Sequence, residues 1–251
     1  METLKNLEQL QLPEPVKKDL NEFLSQVVKL YSNDLVSIMA FGSSVTGDFV
    51  ENHSDVNVMV VYSDLNITDL NEVAQLARNW LKKRAFAPRF ISMKNLTSSS
   101  RFFQIDMLEM KDMSITLYGK DLLNEIVVEK AGLLWQLSYE IKAMRMRIKQ
   151  QFWRSCGDEH IMRKILLERF TSITHLSRAL LYLMGKSTPA RFEDILQMAK
   201  SEIGISATYI DQMMAMKTKK SKPDNKELVQ LFTALMDVIR IVDTKTDQVT
   251  L

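Results

Sequence analysis

Two apolar runs joined by a glycine turn occupy Ile38 to Tyr62, IMAFGSSVTGDFVENHSDVNVMVVY, and this stretch limits what the chain can fold into. Leu35 to Phe41 is short and apolar, which predicts a buried strand, and it breaks at Gly42-Ser43. Val56 to Tyr62 predicts a second strand of the same kind. Gly42 lets the backbone come close to a ligand. The amides that follow it, at Ser43 and Ser44, form with the Ser43 hydroxyl a small positive concavity suited to phosphate. Asp55 and Asn57 stand two residues apart at the head of the second strand, so both side chains leave one face and can address one metal ion.

The order Gly42-Ser43, ten intervening residues, then Ser54-Asp55-Val56-Asn57 resembles the signature of the DNA polymerase beta-like nucleotidyltransferases. In that family a Gly-Ser turn holds a triphosphate and a D-x-D or D-x-E pair binds magnesium. The resemblance implies Gly42, Ser43 and Ser44 at the nucleotide, Asp55 and Asn57 at magnesium, and Asp55 in catalysis. It also implies two divalent ions, one activating an acceptor hydroxyl and one neutralising the triphosphate during attack at the α-phosphorus. Asn57 departs from the pattern, because it stands where the family has its second carboxylate. An amide oxygen carries no charge, so a dication about 2 Å away loses several kcal/mol of attraction even at an effective dielectric near ~20. That predicts weak or single-ion magnesium binding. By the same resemblance a third acid, as ligand or base, comes from the 102–112 segment, with Asp106 first and Glu109 as the alternative. In a strand these two would point to opposite faces.

The rest of the chain is read around that stretch. Pro13 and Pro15 set off a helix from Val16 to Tyr31, and Asp69 to about Arg84 carries a second apolar stripe, with Trp80 on it and Lys82, Lys83 and Arg84 at its end. Phe86 to Met93 predicts a third strand, Lys94 to Ser100 a loop, and Ser114 to Tyr118 a strand closed by Gly119. Phe102 to Asp112 fits neither period cleanly. From Glu129 the pattern is helical: Glu129 to Ser155, Glu159 to Met184, a short helix capped by Thr188 with Pro189 in its first turn, one capped by Ser206, and one opened by the Asp224-x-x-Glu227 capping box and running to about Val242. The expected fold class is α+β: a small mixed-sheet nucleotidyltransferase-like domain over 1–125, then an all-α antiparallel helical bundle over 126–251. This order is similar to that of kanamycin-type nucleotidyltransferases, and of proteins that join a nucleotidyltransferase domain to a HEPN-like bundle.

Composition narrows the function classes. The 251 residues, 46% of them apolar, contain no run of eighteen apolar residues and no basic-then-apolar leader, so a cytoplasmic protein with no membrane partner is expected. One cysteine, Cys156, and three histidines, His53, His160 and His175, build neither an internal disulfide nor a Cys/His zinc cluster. A net charge of +2 makes no case for nucleic acid. Residues 1–125 carry 13 Lys+Arg against 17 Asp+Glu, and residues 126–251 carry 20 against 14, so the first half suits cations and the second anions. His53 stands beside the Ser54-Asp55 pair, where it could touch a phosphate or base, and Lys217, Lys219, Lys220 and Lys222 form a basic loop. Arg169 and His175 are spaced as in the R-x4-6-H motif of HEPN ribonucleases, a reading that requires them to meet within one chain or across a homodimer. The sequence thus poses a nucleoside triphosphate, magnesium and an unidentified acceptor hydroxyl against a nucleotide-sensing or protein-binding descendant without catalysis.

Overall fold

The computed structural model describes residues 4–31, 33–50, 54–64, 71, 73–75, 77–78 and 88–251. By internal packing the chain divides into two compact units, Met1–Val128 and Glu129–Leu251. The architecture is α+β, with a mixed four-stranded sheet in the first unit and helices throughout the second.

In the first unit α1 (Glu14–Leu30) starts behind Pro13, whose fixed φ suits a helix start, and its stripe of Val16, Leu20, Phe23, Leu24 and Val27 is fully buried. Each such side chain contributes about 2 kcal/mol by leaving water. Then come β1 (Leu35–Phe41), the single turn α2 (Ser43–Thr46), β2 (Asn57–Tyr62), helical positions 71, 73–75, 77 and 78 counted as α3, β3 (Arg89–Ser92), α4 (Met93–Ser100), α5 (Gln104–Asp112) and β4 (Ser114–Gly119). Across the sheet the strands stand β3-β2-β1-β4, with β1 antiparallel to both neighbours and β3 parallel to β2. Strand alternation divides the core into two layers. Ile38, Ala40, Val58 and Val60 join the α1 stripe and Val73 on one face, while Met39, Phe41, Met59 and Val61 join Leu96 of α4 and Met107 and Met110 of α5 on the other. The outer edge of β4 is covered: the Lys5 amide donates to the Leu117 carbonyl at 2.8 Å, and Asn6 Nδ2 donates to the Thr116 carbonyl at 2.9 Å.

Several expectations are corrected here. Lys94 to Ser100 is helical, because the Ser92 hydroxyl accepts the Asn95 amide as an N-cap and Leu96 anchors the turn in the core. The ambiguous 102–112 segment resolves into helix α5 behind exposed Phe102 and Phe103; every α5 residue except Asp106, Glu109, Lys111 and Asp112 is buried, which hides the amphipathic period. The predicted second helix is helical where described, but its end, including Trp80, Lys82, Lys83 and Arg84, and Phe86 of the third strand lie outside the described residues.

The second unit is built on α6 (Lys130–Arg154), α7 (Glu159–Leu183) and α10 (Asn225–Asp247), which pack on one another, with α8 (Phe192–Met198), a π-helical segment Ala199–Ile203 and α9 (Ala207–Lys217) beside α7. Asp243 of α10, nearly buried, accepts Lys142 at 2.7 Å and Arg145 at 3.0 Å, tying α10 to α6. The Asp224–Glu227 capping box forms with both bonds at 2.9 Å. Thr188-Pro189 does not open a helix, since α8 begins at Phe192. Fully buried Arg178 donates instead to the Pro189 carbonyl and holds that segment against α7. Lys217 of the basic loop sits 3.4 Å from the centre of the Phe192 ring. Among the described residues, no helix is long and apolar enough to cross a membrane.

Gly119 closes β4 at φ +65, where an added Cβ would lie 2.1 Å from the Val36 carbonyl oxygen. Gly119→Ala should therefore cost about 3 kcal/mol or more, whereas Gly185→Ala, at φ +76 with nothing within 4 Å, should cost about 1 kcal/mol. Denaturant midpoints of the two variants measure the difference. Equal losses would assign the whole effect to the backbone angle.

Candidate functional site

β1 ends at Phe41, which lies directly opposite Asn57 on β2 and Ser114 on β4. Opposed residues share a sheet face, so Asn57, Phe41 and Ser114 form one rung. Because β3 is parallel to β2, with Arg89 beside Met59, the end of β1 and the starts of β2, β3 and β4 gather at one end of the sheet.

Gly42 takes φ 73 and ψ −144, a conformation that side chains other than glycine essentially do not adopt. Its amide donates to the Met113 carbonyl at 3.2 Å, and an added Cβ would stand 3.3 Å from Asn57 Nδ2, so the Asn57 side chain borders the space that a side chain at Gly42 would fill. The Val45 and Thr46 amides bond the Gly42 carbonyl at 2.8 and 3.1 Å, and the Gly47 amide bonds that of Ser43 at 3.2 Å. Ser43 and Ser44 head the turn, where the helical ladder supplies no acceptor for an amide. Their side chains differ in placement. Ser43 is half-buried, whereas Ser44 is fully buried and its hydroxyl donates to the Phe41 carbonyl at 3.2 Å, leaving its amide as what it can offer a ligand.

Ser54 fastens the loop ahead of β2, its amide donating to the Val50 carbonyl at 2.8 Å and its hydroxyl accepting the Val50 amide at 3.0 Å. Val56 turns into the α1-side core, which leaves Asp55 exposed beside Asn57. His53 lies outside the described residues.

Arg89 has no part in the sequence reading, yet from the edge strand β3 its side chain reaches this end of the sheet. Its guanidinium reaches across β2 to stand 5.3 Å from the centre of the Phe41 ring, and Nη1 lies 3.5 Å from Asp106 Oδ1. Both members of that pair are about half exposed, so it contributes under ~1 kcal/mol to stability. Asp106 lies in the first turn of α5, and Glu109, three residues on, shares its side of the helix rather than facing away as in a strand. The signal for Arg89 is faint: a polar residue heading a short apolar run, Arg89-Phe90-Ile91, as Asn57 heads its own.

Magnesium needs several oxygen donors, and two ions need carboxylates to bridge them. Among the described residues no three His, Cys, Asp or Glu side chains gather to hold an ion. Among the described residues, one carboxylate at Asp55 beside the amide of Asn57, with Asp106 paired to Arg89, fits a single ion rather than two. In the second unit, Arg169 and His175 lie six residues apart on α7, about a third of a turn out of line, so within one chain they do not project together. The lone Cys156 is exposed.

No family profile and no curated sequence matches the chain. Among solved structures it is similar to spectinomycin adenyltransferase AAD(9) from Enterococcus faecialis, solved with ATP and spectinomycin, at a TM-score of 0.52 and 12% identity over 89% of this chain and 98% of that one. At that identity the likeness establishes a shared fold.

The two serines of the turn should separate in experiment. Ser44→Ala removes a buried hydroxyl from the Phe41 carbonyl and should cost about 1 kcal/mol of stability, while Ser43→Ala should stay within about 0.5 kcal/mol of the native protein. Urea unfolding of both variants reads this directly. A stability loss at Ser43 equal to that at Ser44 would make Ser43 a structural residue.

Proposed function

We propose that the chain is a nucleotidyltransferase-type protein whose first unit binds a nucleoside triphosphate at the end of the sheet where Gly42 meets Asn57. The observation that supports this most is the pairing of Phe41 with Asn57, which puts a glycine turn and a metal-type strand head side by side in a fold shared with an adenyltransferase. In this reading the backbone of Gly42, Ser43 and Ser44 and the Ser43 hydroxyl receive phosphate oxygens. Asp55 holds a single magnesium ion with the Asn57 carbonyl as a neutral second donor. Asp106 is the first choice for third ligand or base, once it parts from Arg89, with Glu109 on the same side of α5 as the alternative. The nucleoside monophosphate goes to a hydroxyl, and the AAD(9) structure with ATP and spectinomycin supports a small-molecule acceptor.

A second reading, nucleotide sensing without transfer, draws on Asn57 itself. Losing one carboxylate weakens the ion that transfer depends on more than it weakens phosphate binding by backbone amides.

Calorimetric titration of ATP, CTP, GTP and UTP, each with and without magnesium, tests the proposal. The native chain should bind a triphosphate with modest magnesium dependence. Asn57→Asp, nearly isosteric, should strengthen the magnesium-dependent part about tenfold, and Asp55→Ala should abolish it. Ordinary transfer rates in the native chain together with no response to Asn57→Asp would remove Asn57 from the metal and overturn this placement of the site.

A further inference from the structure

Among the described residues, the charged groups at the end of the sheet include Asp55, Asp106 and Arg89, while Asn57 contributes none. The same rung in a two-ion site would present carboxylates and rely on dications to attract a polyanion. Here one carboxylate position is an amide, and a guanidinium is already in place across the same strand, its carbon 5.3 Å from the ring centre of Phe41, the residue that precedes Gly42. Arg89 is anchored by that ring but only loosely held by its acid, at 3.5 Å with both groups about half exposed. Its five donors form a fork that matches two phosphate oxygens at once, which a single long contact to Asp106 does not use.

On these grounds we infer that Arg89 is a phosphate-binding residue that takes the place of the second cation, exchanging Asp106 for the triphosphate when nucleotide binds. The inference rests on the nucleotide reading above and goes further in two respects. Triphosphate binding is then largely independent of magnesium, because a side chain supplies positive charge that a second ion would otherwise bring. Nucleotide arrival also releases Asp106 from its partner, so the acid becomes available on the sheet face only when substrate is present. Asp106 is a competitor for Arg89 in the empty protein, which gives its removal the opposite sign from the removal of a metal ligand.

The test uses the full chain, with inorganic triphosphate and ATP as probes, titrated by calorimetry in EDTA and again in magnesium. In EDTA the native protein should bind both probes, Arg89→Gln should weaken binding roughly tenfold, Arg89→Lys should fall between them, and Asp106→Asn should strengthen binding several-fold. Arg89 and Asp106 are both solvent-exposed enough that the variants should keep the native circular-dichroism spectrum and melting temperature, which separates loss of binding from loss of fold. An unchanged affinity in Arg89→Gln overturns the assignment, and weaker binding in Asp106→Asn overturns the exchange. If ATP binds only with magnesium, and Asp55→Ala abolishes that binding while Arg89→Gln does not, the nucleotide site stands and Arg89 has no part in it. If neither probe binds in either condition, both readings fall together.

Discussion

The antiparallel register that sets Phe41 against Asn57 is the constraint on which the rest of the first unit depends. A strand slipped by one residue would turn Asn57 into the α1-side core and send Val58 to the face where the turn opens, so one register satisfies burial and site geometry together. Gly42 follows from the same requirement. The chain leaves β1 where a side chain would crowd Asn57, and a positive-φ backbone with no Cβ lets it turn there. Met113, at the end of α5, receives the Gly42 amide, so the helix layer on that face is tied to the same turn.

What the sequence made legible was the part fixed by short-range chemistry. The two strands and the glycine break between them, the Pro-led α1 and the Asp224 capping box all follow from local signals strong enough to survive tertiary context. The misreadings have a common physical origin. α5 is buried on most sides, so its polar residues no longer mark a period, and α4 is written in small polar residues whose helicity comes from the Ser92 cap and the Leu96 anchor rather than from propensity. Thr188-Pro189 looked like a helix start because a sequence cannot show a buried arginine reaching back from another helix to take the proline's carbonyl. Arg89 was missed for a similar reason: its significance lies in a parallel pairing between β2 and β3, formed across about thirty residues of intervening chain, and in a reach over a third strand.

Charge at the sheet end links the two functional readings. Replacing a carboxylate by Asn57 makes the site poorer for dications, and a guanidinium over Phe41 makes it richer for anions. Both changes move the local potential in the same direction, away from an ion-dependent transfer centre and toward direct recognition of phosphate. On the proposed reading, transfer and sensing then differ by how much positive charge a held triphosphate would still need, which is a question about what Asp55 can bind rather than about the fold.

The strand order also has a consequence in time. β1 lies inside the sheet, but its partner on one side, β4, is completed 78 residues after Phe41, and Lys5 and Asn6, which cover β4, wait longer still, 112 and 110 residues, for Leu117 and Thr116. At synthesis rates of about 5–20 residues per second, the interval between Phe41 and the end of β4 is roughly 4 to 16 s on the ribosome. During it β1, apolar but for Ser37, presents an open edge where β4 will later bond, ready to pair with another extended chain. The expected consequence is that folding yield in a cell responds to what shields that edge, a chaperone or fast elongation, until residue 119 has been made.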